Sequence, residues 1–126
     1  MPKNEVKIDG LSQEMQKLFK EYGDQVTKIV SDEINDVAKE TAKRLKRTSP
    51  KDKGDYAKGW TWKKEDSRLG PKAVVYNKTF GWLVHLIEKG HAKVNGGRTK
   101  AQPHVEPAEE WANKELFKRV KGKLSQ

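Results

Sequence analysis

His85, Glu88 and His91 follow one another at three-residue steps, and His104 comes 13 residues later; these are the only histidines in the chain. Neutral imidazole nitrogens and carboxylate oxygens are the ligand types that hold zinc or non-haem iron. If the segment is helical through residue 89, His85 and Glu88 share a face. His91 lies beyond Gly90, however, and His104 lies further on, so a metal set would require the intervening loop to fold back. The spacing is not the His-Glu-x-x-His of helical zinc proteases. The competing reading packs His85 against the core and lets Glu88 accept hydrogen bonds from backbone donors near the loop. That reading is favoured, and the expectation is no resident metal and no cofactor.

Other catalytic chemistry finds little to work with. The chain has no cysteine, and no Gly-x-Ser-x-Gly elbow surrounds any of its serines. Gly96-Gly97-Arg98-Thr99 lacks both the spacing and the lysine of a phosphate-binding Walker loop. The expectation is a protein that is not an enzyme.

Charge offers a second chemistry. The formal net charge is +9, and clustered Lys and Arg release counterions from nucleic-acid phosphates. One cluster comprises Lys43, Arg44, Lys46, Arg47, Lys51, Lys53 and Lys58, and another Lys114, Lys118, Arg119, Lys121 and Lys123. Trp60 and Trp62, flanked by Lys58, Lys63 and Lys64, have the composition of a base-stacking platform beside a cationic groove. Arg44, Arg47, Lys51, Lys53, Trp60 and Trp62 are therefore the candidate nucleic-acid contacts. Buried hairpin aromatics and a solvated basic surface are the plainer explanation of the same residues.

These candidates need elements to position them. Charged residues reach 36% against 33% hydrophobic, so the core is small for one domain spanning 1–126, and a surface completed by other subunits suits such a composition. No apolar run approaches the roughly 18 residues of a membrane span, and the first residues lack the apolar stretch of a signal peptide. The expectation is a soluble protein made in the cytoplasm, without membrane contact.

Val6 and Ile8 read as one face of a short strand, and Asp9 or Ser12 as the cap of a helix. Apolar residues from Met15 to Leu45 recur at three- and four-residue steps, which predicts a long helix over about 11–47, with Gly23 as its weak point. Ser49-Pro50 ends it, and a polar loop follows to Tyr56. Strands around Trp60–Lys63 and Ala73–Tyr76 form a hairpin across a turn at 66–71, within a sheet region of about 57–77. A short helix from 80 to 89, capped by Gly90, leads into a loop reaching 104 with Asn95-Gly96 at its tip. Pro107 opens a C-terminal helix over about 107–121. The fold class is α+β: a long N-terminal helix and a C-terminal helix packed on a small, mostly antiparallel sheet.

Three motifs of this chain resemble those of a phage tail-completion family, the head–tail joining or neck proteins of long-tailed double-stranded DNA phages and related prophages, often labelled minor tail components. The first is Val6-Lys7-Ile8-Asp9-Gly10-Leu11 before the long helix. The second is Ser49-Pro50 with Gly54, Tyr56 and Trp60, where Lys53-Gly54 stands in place of the usual Thr-Gly. The third runs from His85 to Ala108, with Gly96-Gly97-Arg98 and Pro103-His104-Val105 inside it. The resemblance implies an α+β subunit of a homo-oligomeric ring in the virion neck, assembled in the host cytoplasm. Its implied partners are head-connector and tail-tube proteins, with viral DNA passing non-specifically through the axis. Within that frame His85, Glu88, Gly90, His91, His104 and Pro107 form the base of the loop. Asn95, Gly96, Gly97 and Arg98 form an inter-subunit loop, and the long helix is a second contact surface.

Overall fold

The computed structural model describes residues 4–10, 12–50, 54–67 and 70–125. Strand β1 (Glu5–Ile8) leads into α1 (Gln13–Tyr22) and α2 (Asp24–Thr48). A one-turn helix α3 (Asp55–Lys58) precedes the hairpin β2 (Trp60–Ser67) and β3 (Gly70–Asn77). A 3-10 turn (Gly81–Leu83), α4 (Val84–Lys89) and α5 (Val105–Leu124) complete the order. The α+β class holds: long helices lie over a three-stranded sheet of order β1-β3-β2, antiparallel throughout.

The long N-terminal helix is two helices. Ser12 caps α1, its hydroxyl accepting from the Met15 N–H at 3.2 Å. Gly23 then takes φ +64° and ψ −141°, a backbone state outside the helical region and open in practice only to glycine. Gly23 therefore ends α1 and starts α2. The break lets both segments bury apolar residues: Met15 and Leu18 from α1, and Val26, Val30, Ile34, Val37 and Leu45 from α2.

The core is built between α2, α5 and one face of the sheet. Val6 and Ile8 of β1, Trp60 of β2 and Val75 of β3 meet Ile34, Val37 and Leu45 of α2 and Leu116 and Val120 of α5. Ala38, Ala42, Ala108 and Ala112 belong to the same buried cluster; small side chains of this kind permit close approach of helix backbones. Val6 pairs with Val75 and Ile8 with Ala73, so β1 closes one edge of the sheet. Helix α5 holds β1 in place from the side. The Lys7 N–H donates to Glu109 Oε2 at 3.0 Å, and Asn113 Nδ2 donates to the Lys7 carbonyl at 3.2 Å.

Two local expectations change. The loop expected up to Tyr56 contains α3, entered through Gly54 at φ +82°, and it buries Tyr56 and Ala57. The turn expected over 66–71 is narrower: β2 runs through Ser67 and β3 resumes at Gly70, with Arg68 and Leu69 outside the described residues. The C-terminal helix also begins earlier, at Val105, and ends later, at Leu124.

Candidate functional site

Helix α5 begins without a cap of its own, for the His104 side chain does not bond to the helix start. The missing acceptor comes from α4. Glu88 Oε1 accepts from the backbone N–H groups of His104 at 2.7 Å and Val105 at 2.8 Å, and Oε2 accepts from Glu106 at 2.9 Å. The next residue is Pro107, which has no N–H to satisfy. One carboxylate thus serves the exposed donors of the first turn and places negative charge at the positive end of the helix dipole. Burial works to raise the Glu88 pKa, but the three backbone donors and the His104 ring hold it below the ordinary carboxylate range.

His104 extends this contact into the core. Its Nδ1 lies 2.7 Å from the Gln102 carbonyl and 2.9 Å from Glu88 Oε1. Both neighbours are acceptors, so Nδ1 carries a proton, and Nε2 hydrogen-bonds with the Tyr56 hydroxyl, 2.6 Å away. Burial, reinforced by the charge of Glu88, pushes the Tyr56 phenol above its usual range, so it remains a donor. Trp60 completes an edge-to-face trio, with ring centroids 5.9 Å from Tyr56 and 6.1 Å from His104. Its indole N–H donates to Ser49 Oγ at 2.8 Å, which ties in the end of α2. Asn77 fastens the far side. Its Nδ2 donates to the Tyr56 carbonyl at 2.7 Å and its Oδ1 accepts from the Phe80 N–H at 2.9 Å. A side chain at Gly59 would collide with that amide, so the α3–β2 junction takes glycine.

From this fixed base an arm emerges. Ala92 and Arg98 form an isolated antiparallel bridge. The Thr99 N–H donates to the His91 carbonyl at 2.8 Å, and the Lys93 N–H to the Gly97 carbonyl at 2.9 Å. Gly96 and Gly97 turn the tip at φ +95° and +76°. Residues 92–98 are all exposed. At the root, Arg98 Nη2 donates to the Gly90 carbonyl at 3.2 Å, and the His91 N–H donates to Thr99 Oγ1 at 2.9 Å.

The expected loop-base residues therefore divide. Glu88, His104 and Pro107 meet at the start of α5, and Gly90 and His91 meet Thr99 at the arm's root. His85 joins neither group, because its Nδ1 lies 2.8 Å from Asn4 Oδ1, toward β1. Among the described residues, no group of three or more His, Asp or Glu side chains is placed to hold a metal ion. Asn95, Gly96, Gly97 and Arg98 lie on the exposed arm.

Trp60 takes the plainer of the two readings, that of a buried hairpin aromatic. Trp60 is 1% exposed and engaged by Ser49, so its face is closed to a base, while Trp62 packs half-buried against the core. Arg44 lies over the Trp111 ring at 5.0 Å, Arg47 is exposed, and Lys51 and Lys53 are outside the described residues. The second basic cluster is largely matched by carboxylates. Arg119 meets Glu115 and Glu40, Lys123 meets Glu33 at 3.0 Å, and Lys114 meets Glu110 at 3.1 Å. Burial lowers the Arg119 pKa, but its carboxylate partners outweigh that and raise it, so the guanidinium stays charged.

Among the participants not anticipated as site residues, beside Tyr56, are Asn77, Ser49, Asn4 and Thr99. Each is a short polar side chain whose partner is distant in sequence or unmarked by any pattern.

The arrangement is a small α+β domain whose interior polar groups hold its own elements together beneath one projecting arm. The chain belongs to the family described as bacteriophage HK97-gp10, putative tail-component, whose model matches residues 13–90. The match runs from the start of α1 to the root of the arm; β1, the arm and α5 lie outside it. Neither the curated proteins nor the solved structures contain a match to the chain.

Proposed function

We propose that this chain completes the head-proximal end of a long phage tail and joins tail to head, as one subunit of a homo-oligomeric ring without catalysis. Membership of a phage tail-component family supports the tail location. The observation that carries the finer reading is the exposed arm at 92–98 rising from a base cross-linked by Glu88, His104, Tyr56 and Asn77. A rigid base with one exposed projection suits a head-to-tail contact, in which different faces of the same chain must be complementary. Asn95, Gly96, Gly97 and Arg98 make the inter-subunit loop in this reading, and α2 offers a second contact face. Head-connector and tail-tube proteins are its partners in the virion neck, with assembly in the host cytoplasm. The net charge of +9 suits viral DNA passing without base readout.

The test is deletion of the gene from its phage or inducible prophage, with the lysate viewed by electron microscopy. Separate filled heads and free tails are expected, and added protein restores joined particles. Intact infectious particles would overturn the proposal.

A further inference from the structure

The arm and the base carry complementary features that do not satisfy each other within the chain. At the arm's tip Val94 is fully exposed, the most exposed large hydrophobic side chain among the described residues. Beside the arm's root lies a groove of about 340 Å³ lined by Pro50, Tyr56, Phe80, Leu83 and Ile87, with Asp55 on its rim. Trp82, between two of these residues in the chain, is 65% exposed.

Charge follows the same division. The segment from Gly90 to Gln102 contains Lys93, Arg98 and Lys100 and no acidic residue. Among the described residues, the charged side chain lining the groove is Asp55, and no ion pair engages it. An apolar tip flanked by cations thus stands exposed at the end of the arm, and an apolar groove with a carboxylate lies open beside the arm's root.

We infer that the Val94 tip of one subunit seats in the Pro50–Phe80–Ile87 groove of the next copy of the same chain, with Lys93 or Arg98 meeting Asp55. This rests on the ring reading and gives it a contact. The two surfaces differ, so the contact is heterologous and propagates from copy to copy until a ring closes. One arm in one groove covers far less than the roughly 1,200 Å² of a stable interface. Free subunits therefore stay apart, and the contact takes hold when a docking surface gathers many copies at high local concentration.

The absence of cysteine allows thiols to be placed singly. Full-length Val94→Cys is mixed with full-length Leu83→Cys and oxidised gently at high protein concentration. Gln102→Cys, on the exposed edge of the groove, replaces Leu83→Cys should that variant fold poorly. The mixed disulfide is expected in excess over both homodimers, and a Val94→Cys, Leu83→Cys double variant is expected to give a ladder extending beyond the dimer. Asp55→Lys in the groove partner should lower the mixed yield severalfold, and Lys118→Cys, on the exposed side of α5, should give no excess. Statistical mixing of products would overturn the inference, as would an internal disulfide within monomers of the double variant. Separate heads and tails in the deletion lysate together with statistical mixing would remove this contact alone. Intact particles together with the expected ladder would remove the joining role and leave the contact.

Discussion

Glu88 and His104 are joined through one oxygen: Oε1 accepts the His104 backbone N–H at 2.7 Å and lies 2.9 Å from the same residue's Nδ1. Both side chains are buried. The end of α4 and the start of α5 are thereby a single unit, although the 15 residues from 90 to 104 lie between the two helices.

Replacing Glu88 with Gln should destabilise the protein by about 2 kcal/mol at neutral pH, since a charged cap and its backbone partners are lost together. The pKa of Glu88 is lowered on folding. Its contribution is therefore fully present above the unfolded carboxylate value of about 4.3 and is lost as pH falls from there through the folded value. Urea unfolding of both proteins at a series of pH values should show the gap narrowing on acidification. A gap independent of pH would mean that the carboxylate charge is not the cause.

Gly23→Ala separates a broken helix from a continuous one by its sign. Nothing lies within 4 Å of a Cβ built at Gly23, so crowding plays no part. In a continuous helix alanine would stabilise by about 1 kcal/mol. At φ +64° and ψ −141° it should instead destabilise by about 1–3 kcal/mol. Chemical denaturation decides between them.

Much of this fold was legible because apolar spacing reports burial. Val26, Val30, Ile34, Val37 and Leu45 mark one face of α2, and Val6 and Ile8 one face of β1, before any coordinate is consulted. Gly23 advertised a weak point, yet a sequence does not state whether glycine is tolerated in a helix or stops it. The Glu88 cap was foreseen in kind, as a carboxylate accepting from backbone near the loop. Its target was not, because a cap supplied from 16 residues upstream leaves no local signature. Trp60 left two readings open for a related reason: lysines beside an aromatic look alike in sequence whether its ring faces solvent or Ser49.

Trp60→Ala should cost about 3–5 kcal/mol through the cavity it leaves and the hydroxyl it orphans. Trp62→Ala, at a half-buried position, should cost about 1–2 kcal/mol. Thermal unfolding followed by circular dichroism measures both. A folded Trp60→Ala protein of wild-type stability would contradict the packing described for this side chain.

Arg119→Ala removes a guanidinium that meets Glu33, Glu40 and Glu115, bridging α2 and α5. Its side chain is 24% exposed, so screening applies and the loss should be about 1 kcal/mol, shrinking as salt is added. Lys118→Ala, exposed on the same helix, serves as the control and should leave stability unchanged. Denaturant midpoints at low and high ionic strength provide the comparison.

Gly90→Ala would set a Cβ 2.6 Å from the Thr99 carbonyl oxygen at a backbone φ of +75°. The strain, about 1–3 kcal/mol, falls on the arm's root rather than on the core. Amide hydrogen exchange at Lys93 and Thr99 should accelerate by an order of magnitude or more, while core amides of α2 change less. Uniform acceleration across the protein would show that the arm and the core open as one.

The seat of β1 imposes an order on folding. Its pairing with β3 and its bonds to Glu109 and Asn113 join residues as many as 106 positions apart. Closing so long a span carries a large entropic cost and slows the final step relative to the helices and the hairpin. The edge of the sheet at β1 is therefore the part of the fold expected to close last.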